Sequence, residues 1–202
     1  TYEESVRFYT SLDSAYESGR LFEYGLSDIG KPIYLFVISS DGDFSPSSLH
    51  RKGKSVLLIN NGIHPGEPCG VDASANLAED LLNGSVPIPE NTVVCIIPLY
   101  NVGGALNRGC CSRANQNGPE EYGFRGNARN LDLNRDFIKT DSRNAEVFTE
   151  IFQDWEPHLF VDTHTSNGAD YQHVMTLINS QQNKLNPTLA AFMNDEMLPV
   201  LY

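Results

Sequence analysis

Basic residues are scarce in this sequence: 14 Lys plus Arg stand against 26 Asp plus Glu, for a formal net charge of -12. That balance argues against nucleic acid or an anionic membrane surface as the main partner, because both reward a basic patch. No apolar stretch approaches the roughly 20 residues that a membrane-spanning helix needs. Four cysteines without a CxxC pair exclude a zinc ribbon, a thioredoxin-type redox motif and a disulfide-dense scaffold. Cys95, inside the apolar run Val93 to Ile97, reads as a buried thiol. Cys110 and Cys111 are neighbours in a polar segment, where a bridge from one of them to another part of the chain stays open. There is no internal repeat and no low-complexity segment. The chain opens on Thr1 without a signal-peptide pattern, so the expectation is a processed or chosen amino terminus.

What is present is enough for one domain: 202 residues, 40% of them hydrophobic. Thr1 to Ser18 reads as a helix opened by a Thr1/Glu4 capping box and ended by Gly19. Leu21 to Leu26 and Pro32 to Ser39 read as a hairpin around Asp28-Ile29-Gly30-Lys31. Ser40 to Lys54 is expected to be an exposed connection. Ser55 to His64 is a strand and Val71 to Asn83 an amphipathic helix closed by Gly84. Thr92 to Tyr100 is almost continuously apolar, as a central strand covered on both faces should be. Asn101 to Asn130 is a long Gly, Asn and Arg-rich segment, and loops of that length inside a domain are usually functional. Ser142 to Trp155 reads as a helix, His158 to Thr163 as a short buried strand, His173 to Ile178 as a further strand, and Pro187 to Leu198 as a helix with Leu189, Phe192, Met193 and Met197 inward. The alternation predicts an α/β fold: a three-layer α/β/α sandwich with a mixed, largely parallel twisted sheet.

Ligands of such sheets gather at the carboxyl ends of the strands. The strand Ser55 to His64 ends in Gly62, delivers His64, turns through Pro65-Gly66 and presents Glu67 just before a helix. An imidazole and a carboxylate three residues apart suit zinc, which accepts N and O donors and keeps an open position for water when it has three protein ligands. Leu159 to Thr165 brings a second strand end with His164. By strand alternation Asp162 shares its side, either orienting a ligating imidazole or lining the site. Alone, His164 would read as a strand-end core histidine. Between the two lies Asn130 to Phe137, in which Asp132 and Asn134 alternate with Leu131 and Leu133 and Arg135 follows. An arginine fork is suited to a free carboxylate. Half of all Lys and Arg fall between Arg108 and Arg143, which in an acidic protein points to an anionic ligand, although Arg108, Arg113, Arg129 and Arg143 singly read as surface residues. His50, His158 and His173 read as ordinary residues.

His64-Pro65-Gly66-Glu67, then Asp132-Leu133-Asn134-Arg135, then His164, with Gly30-Lys31-Pro32-Ile33 as an early hairpin, resembles the zinc metallocarboxypeptidase family of carboxypeptidase A-like enzymes. The resemblance implies a phosphorylase/hydrolase-like fold and one Zn2+ held by His64, Glu67 and His164, with Asp132 accepting the second ring proton of His64. It implies Asn134 and Arg135 as the clamp for a substrate's terminal carboxylate, and Arg125, with Arg129 as its rival, as the group that polarises the scissile carbonyl. The substrate class it implies is a peptide, from protein or cell wall, with a free carboxyl terminus. The mechanism it implies has zinc acidifying a water, a glutamate general base taking the proton, and the resulting hydroxide attacking the carbonyl. The resemblance places that glutamate on a late strand well beyond His164, and Glu196, on a predicted helix, does not qualify. Residues 1–202 are therefore expected to be the amino-terminal two thirds of a single catalytic domain, binding zinc but inactive alone. Tyr171-Gln172 departs from the Ser-Tyr of digestive members. Two other readings share the scaffold: a zinc amidase or deacylase of small N-acyl amino acids, and a non-catalytic binding protein. The family's habits favour a periplasmic or extracellular location; the oligomeric state is not legible.

Overall fold

Thr1 Oγ1 accepts the Glu4 backbone N–H at 3.3 Å, and the Glu4 carboxylate accepts from the Thr1 amino group at 2.8 Å. This capping box satisfies first-turn donors and starts helix α1 (Tyr2–Ala15). The helix ends before the predicted Ser18. Gly19 instead opens strand β1 (Gly19–Leu26), where a Cβ would stand 2.8 Å from Phe36 Cζ. In this computed structural model, residues 1–113, 119–166 and 168–201 are described. They form two compact units, Thr1–Asn167 and Gly168–Tyr202.

In the first unit β1 pairs antiparallel with β2 (Pro32–Ile38) across a turn that Gly30 allows at φ +75°. The segment expected to be an exposed connection contains a short helix, α2 (Pro46–Arg51), because Pro46 fits a first turn and Leu49 is fully buried. Lys52 ties it down by ion pairs of 2.9 Å to Asp41 and 2.6 Å to Asp43. Then follow β3 (Ser55–Asn60), α3 (Cys69–Asn83) capped by Gly84 at φ +83°, and β4 (Thr92–Ile97). The long Gly, Asn and Arg-rich segment is partly ordered: α4 (Val102–Leu106) leads into a two-residue ladder of β5 (Arg108–Gly109) and β6 (Tyr122–Gly123). Its residues 114–118 lie outside the described residues. Helix α5 (Arg143–Trp155), capped by Ser142, and β7 (Leu159–Asp162) complete the unit.

The sheet runs β1-β2-β4-β3-β7, antiparallel from β1 to β4 and parallel from β4 through β3 to β7. Alternation along β4 divides the core. Val93, Cys95 and Ile97 join Val147, Phe148 and Ile151 of α5, whereas Val94 and Ile96 join Tyr9 and Leu12 of α1 and Ala78, Leu81 and Leu82 of α3. Each such Val, Leu, Ile or Phe side chain contributes about 1.5–3 kcal/mol of burial, so the three-layer α/β sandwich is held from both faces. The predicted buried strand at His158 to Thr163 is shorter and more open: Leu159 is 40% and Val161 39% exposed, because among the described residues β7 pairs with β3 alone.

The second unit holds a 3-10 turn (Gln182–Lys184), α6 (Pro187–Phe192), a π turn (Met193–Met197) and α7 (Leu198–Leu201). The strand predicted at His173 to Ile178 does not form. Of the four side chains predicted inward on the helix, Met193 is buried, while Leu189 and Phe192 are exposed. Among its described residues this unit has no sheet for that stripe to pack on.

Candidate metal centre

Strands β3 and β7 are parallel neighbours in the register Asn60↔Asp162, so their carboxyl ends emerge side by side. Asn60 Nδ2 donates to Asp162 Oδ1 at 2.9 Å and Thr163 N–H donates to Asn60 O at 3.0 Å, which extends the alignment past the ladder. Gly62, at φ +66°, bends the chain out of β3 and delivers His64. Gly70, in the first turn of α3, lets the helix approach β7. A Cβ there would lie 2.1 Å from Thr163 Oγ1.

These connections bring His64, Glu67 and His164 together, with one ligand atom of each within 4.8 Å of the others. His64 Nδ1 is 3.1 Å from Glu67 Oε1, and His164 Nδ1 is 2.9 Å from Glu67 Oε2. Those separations sit near the ~3.4 Å edge of a tetrahedron with bonds of ~2.1 Å, and two imidazoles with one carboxylate are a zinc donor set. The site therefore fits the ion. Both rings are anchored on the opposite nitrogen: His64 Nε2–H donates to Asp132 Oδ1 at 3.1 Å and His164 Nε2–H to Asp162 Oδ2 at 2.9 Å. Each aspartate, as an acceptor, keeps a proton on Nε2, so Nδ1, which faces Glu67 in the metal-free site, is the nitrogen that would turn its lone pair to a metal.

The electrostatics are tightly coupled. Burial opposes ionisation of Glu67, but hydrogen bonds from His164, His64 and the Thr165 N–H hold its carboxyl well below the usual range. His164, bonded to Asp162 and Glu67, is raised to about 9 against a smaller effect of burial. Asp132 is lowered: desolvation is outweighed by His64 and by the Arg125 guanidinium.

Arg125 is locked by Nε and Nη2 onto Asp132 Oδ2 at 3.1 and 3.0 Å, which leaves Nη1 3.4 Å from His64 Nδ1 and 4.0 Å from Glu67 Oε1. Its rival Arg129 is turned elsewhere, toward the Asp141 carbonyl at 2.6 Å and Asp28 at 3.7 Å. Asn134 Nδ2 comes within 3.5 Å of His164 Nε2, while the exposed Arg135 donates to the Asn134 carbonyl at 2.8 Å. The alternation predicted from Leu131 to Asn134 gives way to a 3-10 turn at Leu133–Arg135, because Asp132 caps it by accepting the Asn134 N–H at 3.0 Å. Leu133 is still the buried member.

The sequence counts Arg113 in its basic cluster but reads it singly as a surface residue. Its Nη1 stands 2.7 Å from Glu67 Oε1. Nothing in its local pattern marks it; only the β5–β6 ladder brings it in. Cys110 and Cys111 are bridged to each other rather than to another part of the chain.

The zinc carboxypeptidase family profile matches residues 6–198, nearly the whole chain. The chain belongs to the zinc carboxypeptidase family. Family members act on peptides with zinc as cofactor. Solved structures share the fold: a candidate carboxypeptidase A from Shewanella denitrificans (21% identity, TM-score 0.66, 85% of this chain and 41% of that one). A metallo-carboxypeptidase from Burkholderia cenocepacia follows at 19% identity and TM-score 0.64, covering 90% and 46%. A metallo-carboxypeptidase from Pseudomonas aeruginosa, solved with (2-guanidinoethylmercapto)succinic acid, matches at 20% identity and TM-score 0.61, covering 83% and 40%. The chain thus spans less than half the length of each of these structures. No curated protein matches the chain significantly. Among the described residues no helix is long and apolar enough to cross a membrane.

Proposed function

We propose that this zinc carboxypeptidase chain carries the metal-binding and carboxylate-recognition part of an enzyme that removes the carboxy-terminal residue of peptides, with His64, Glu67 and His164 holding one zinc ion. The observation that carries the reading is the paired arrangement in which both imidazoles turn Nδ1 to Glu67 and Nε2 to an aspartate. Bound zinc supplies Lewis acidity to a carbonyl and acidifies water. Asp132 and Asp162 fix the tautomer and orientation of the rings. Arg125, immobilised on Asp132, keeps one guanidinium edge toward the cluster, where it offsets negative charge developing on the substrate carbonyl. Asn134 and Arg135, adjacent on the 3-10 turn, bind the terminal carboxylate.

The chain covers less than half of each of the three bacterial structures compared, and this supports reading residues 1–202 as the amino-terminal part of a longer catalytic domain. On that reading the general base lies outside these residues, and the fragment binds zinc without turning substrate over. A periplasmic or extracellular site of action is part of the same proposal. The test is hydrolysis by the full-length protein of paired peptides with free and amidated carboxyl ends. Cleavage of the free form alone supports the assignment. Equal cleavage, or cleavage confined to small N-acyl amino acids, replaces it with the amidase reading.

A further inference from the structure

The loop that carries Arg113 is built around two features that the proposed hydrolysis does not use. Cys110 and Cys111, adjacent and exposed, are joined by a disulfide, and Cys111 sits at φ +72°. Left-handed backbone at a residue other than glycine is uncommon and costs about 1–3 kcal/mol, so it persists only when something enforces it. Two residues on, the Arg113 N–H donates to Tyr122 Oη at 2.9 Å. Its side chain crosses Gly66, where a Cβ would come 3.0 Å from Arg113 Cδ, and ends 2.7 Å from Glu67 Oε1. Glu67 is 3% exposed and Arg113 12%, so this contact is shielded from water and weakly screened. A dication reaching the same carboxylate meets a fixed positive charge.

We propose that the Cys110–Cys111 disulfide is a redox switch which, while closed, holds Arg113 on Glu67 and weakens zinc binding. The proposal rests on the reading of His64, Glu67 and His164 as zinc ligands. The switching partner is a dithiol. One of its thiolates attacks a sulfur of the pair, the Cys110–Cys111 bond breaks to leave a mixed disulfide, and its second thiol displaces that bond. The reductant leaves as its own disulfide, and Cys110 and Cys111 keep two electrons and two protons as thiols. Opening the ring frees Cys111 to return to negative φ. That turns the chain entering Arg113, and the guanidinium leaves Glu67.

The experiment uses the chain in a Cys69→Ala background, in which accessible thiols report the pair, since Cys95 is buried. The protein is oxidised, or reduced with dithiothreitol and desalted without oxygen, and zinc dissociation constants are measured by competition with a chromophoric chelator alongside native thiol counts. Expected are two accessible thiols after reduction and zinc binding tighter by roughly tenfold, the equivalent of one charge-assisted hydrogen bond. Arg113→Gln should bind at the tighter level in both redox states. Equal affinity in the two states, a redox difference that persists in Arg113→Gln, or a pair that dithiothreitol leaves oxidised overturns the switch and leaves the ligand assignment standing. Absence of zinc binding in every sample overturns the ligand assignment and the switch together.

Discussion

Asp132 Oδ1 lies 3.1 Å from His64 Nε2, on the side of the ring opposite the Glu67 carboxylate, while Asp132 Oδ2 receives two hydrogen bonds from Arg125. One carboxylate thus orients a ligand and anchors the cation beside it. Removing it should loosen both. Asp132→Ala should weaken zinc binding about 10–100-fold, the cost of losing a partner of a metal-bound imidazole. Arg125→Gln should leave zinc binding within a few-fold and lower kcat in the full-length enzyme. Chelator competition on both variants checks the split; equal zinc loss in the two contradicts it.

Zinc affinity should depend on pH through His164. Without metal its folded-state pKa, held up by Asp162 and Glu67, is about 9, above the ~6.5 of an unfolded histidine. The charge interactions of protonated His164 therefore stabilise the metal-free fold fully below that unfolded value, and the contribution is lost as pH rises through about 9. Zinc must displace the Nδ1 proton. Its affinity should tighten by up to about tenfold per pH unit between neutrality and the folded pKa, then level off. Calorimetric titration across this range checks it; a flat profile contradicts it.

The approach of α3 to β7 depends on the absence of a side chain at Gly70. Gly70→Ala puts a methyl 2.1 Å from Thr163 Oγ1, so the helix or the strand end must shift. A loss of about 1–3 kcal/mol is expected from overpacking, with zinc affinity falling too. Gly53, where a Cβ would meet nothing within 4 Å, serves as the control, and Gly53→Ala costs only its φ of +71°. Thermal unfolding with and without zinc distinguishes the two.

Much of this arrangement was written in local pattern. The capping box at Thr1, the continuous apolar run of β4 and the glycine stop of α3 are determined by neighbouring residues, and they stand where the sequence places them, with β4 ending at Ile97 rather than Tyr100. His64 and Glu67 share one turn, so their proximity is also local. The convergence of His164 is less so, because it needs the β3–β7 register. The place of Arg113 beside Glu67 could not be seen, since the β5–β6 ladder next to it spans only two residues per strand. The burial of Leu49 and the openness of β7 were missed for one reason: each depends on what covers the segment, which composition does not state.

Asp136 anchors the start of α5, accepting from Ser142 N–H at 3.0 Å, Ser142 Oγ at 2.6 Å and Asp141 N–H at 2.9 Å. Desolvation opposes its ionisation, but these bonds, Ser142 foremost, lower its pKa. The stabilisation is present above the ordinary carboxylate pKa of about 3.9 and is lost as pH falls through the lower folded value. Asp136→Ala, which leaves these donors unpaired, should cost about 2–3 kcal/mol at neutral pH. Urea unfolding at neutral pH and near pH 3 should show the gap from the unmodified chain narrowing in acid; a constant gap contradicts the assignment.

The most direct test of the central claim is the zinc content of the purified chain, set beside that of His64→Ala, with hydrolysis of a free-carboxyl peptide followed on the same samples. The account predicts one zinc per chain, loss of that zinc in the variant, and little or no turnover by residues 1–202. Zinc retained by His64→Ala, or none in the unmodified chain, would contradict the ligand set, and rapid turnover would show that these residues already contain a general base.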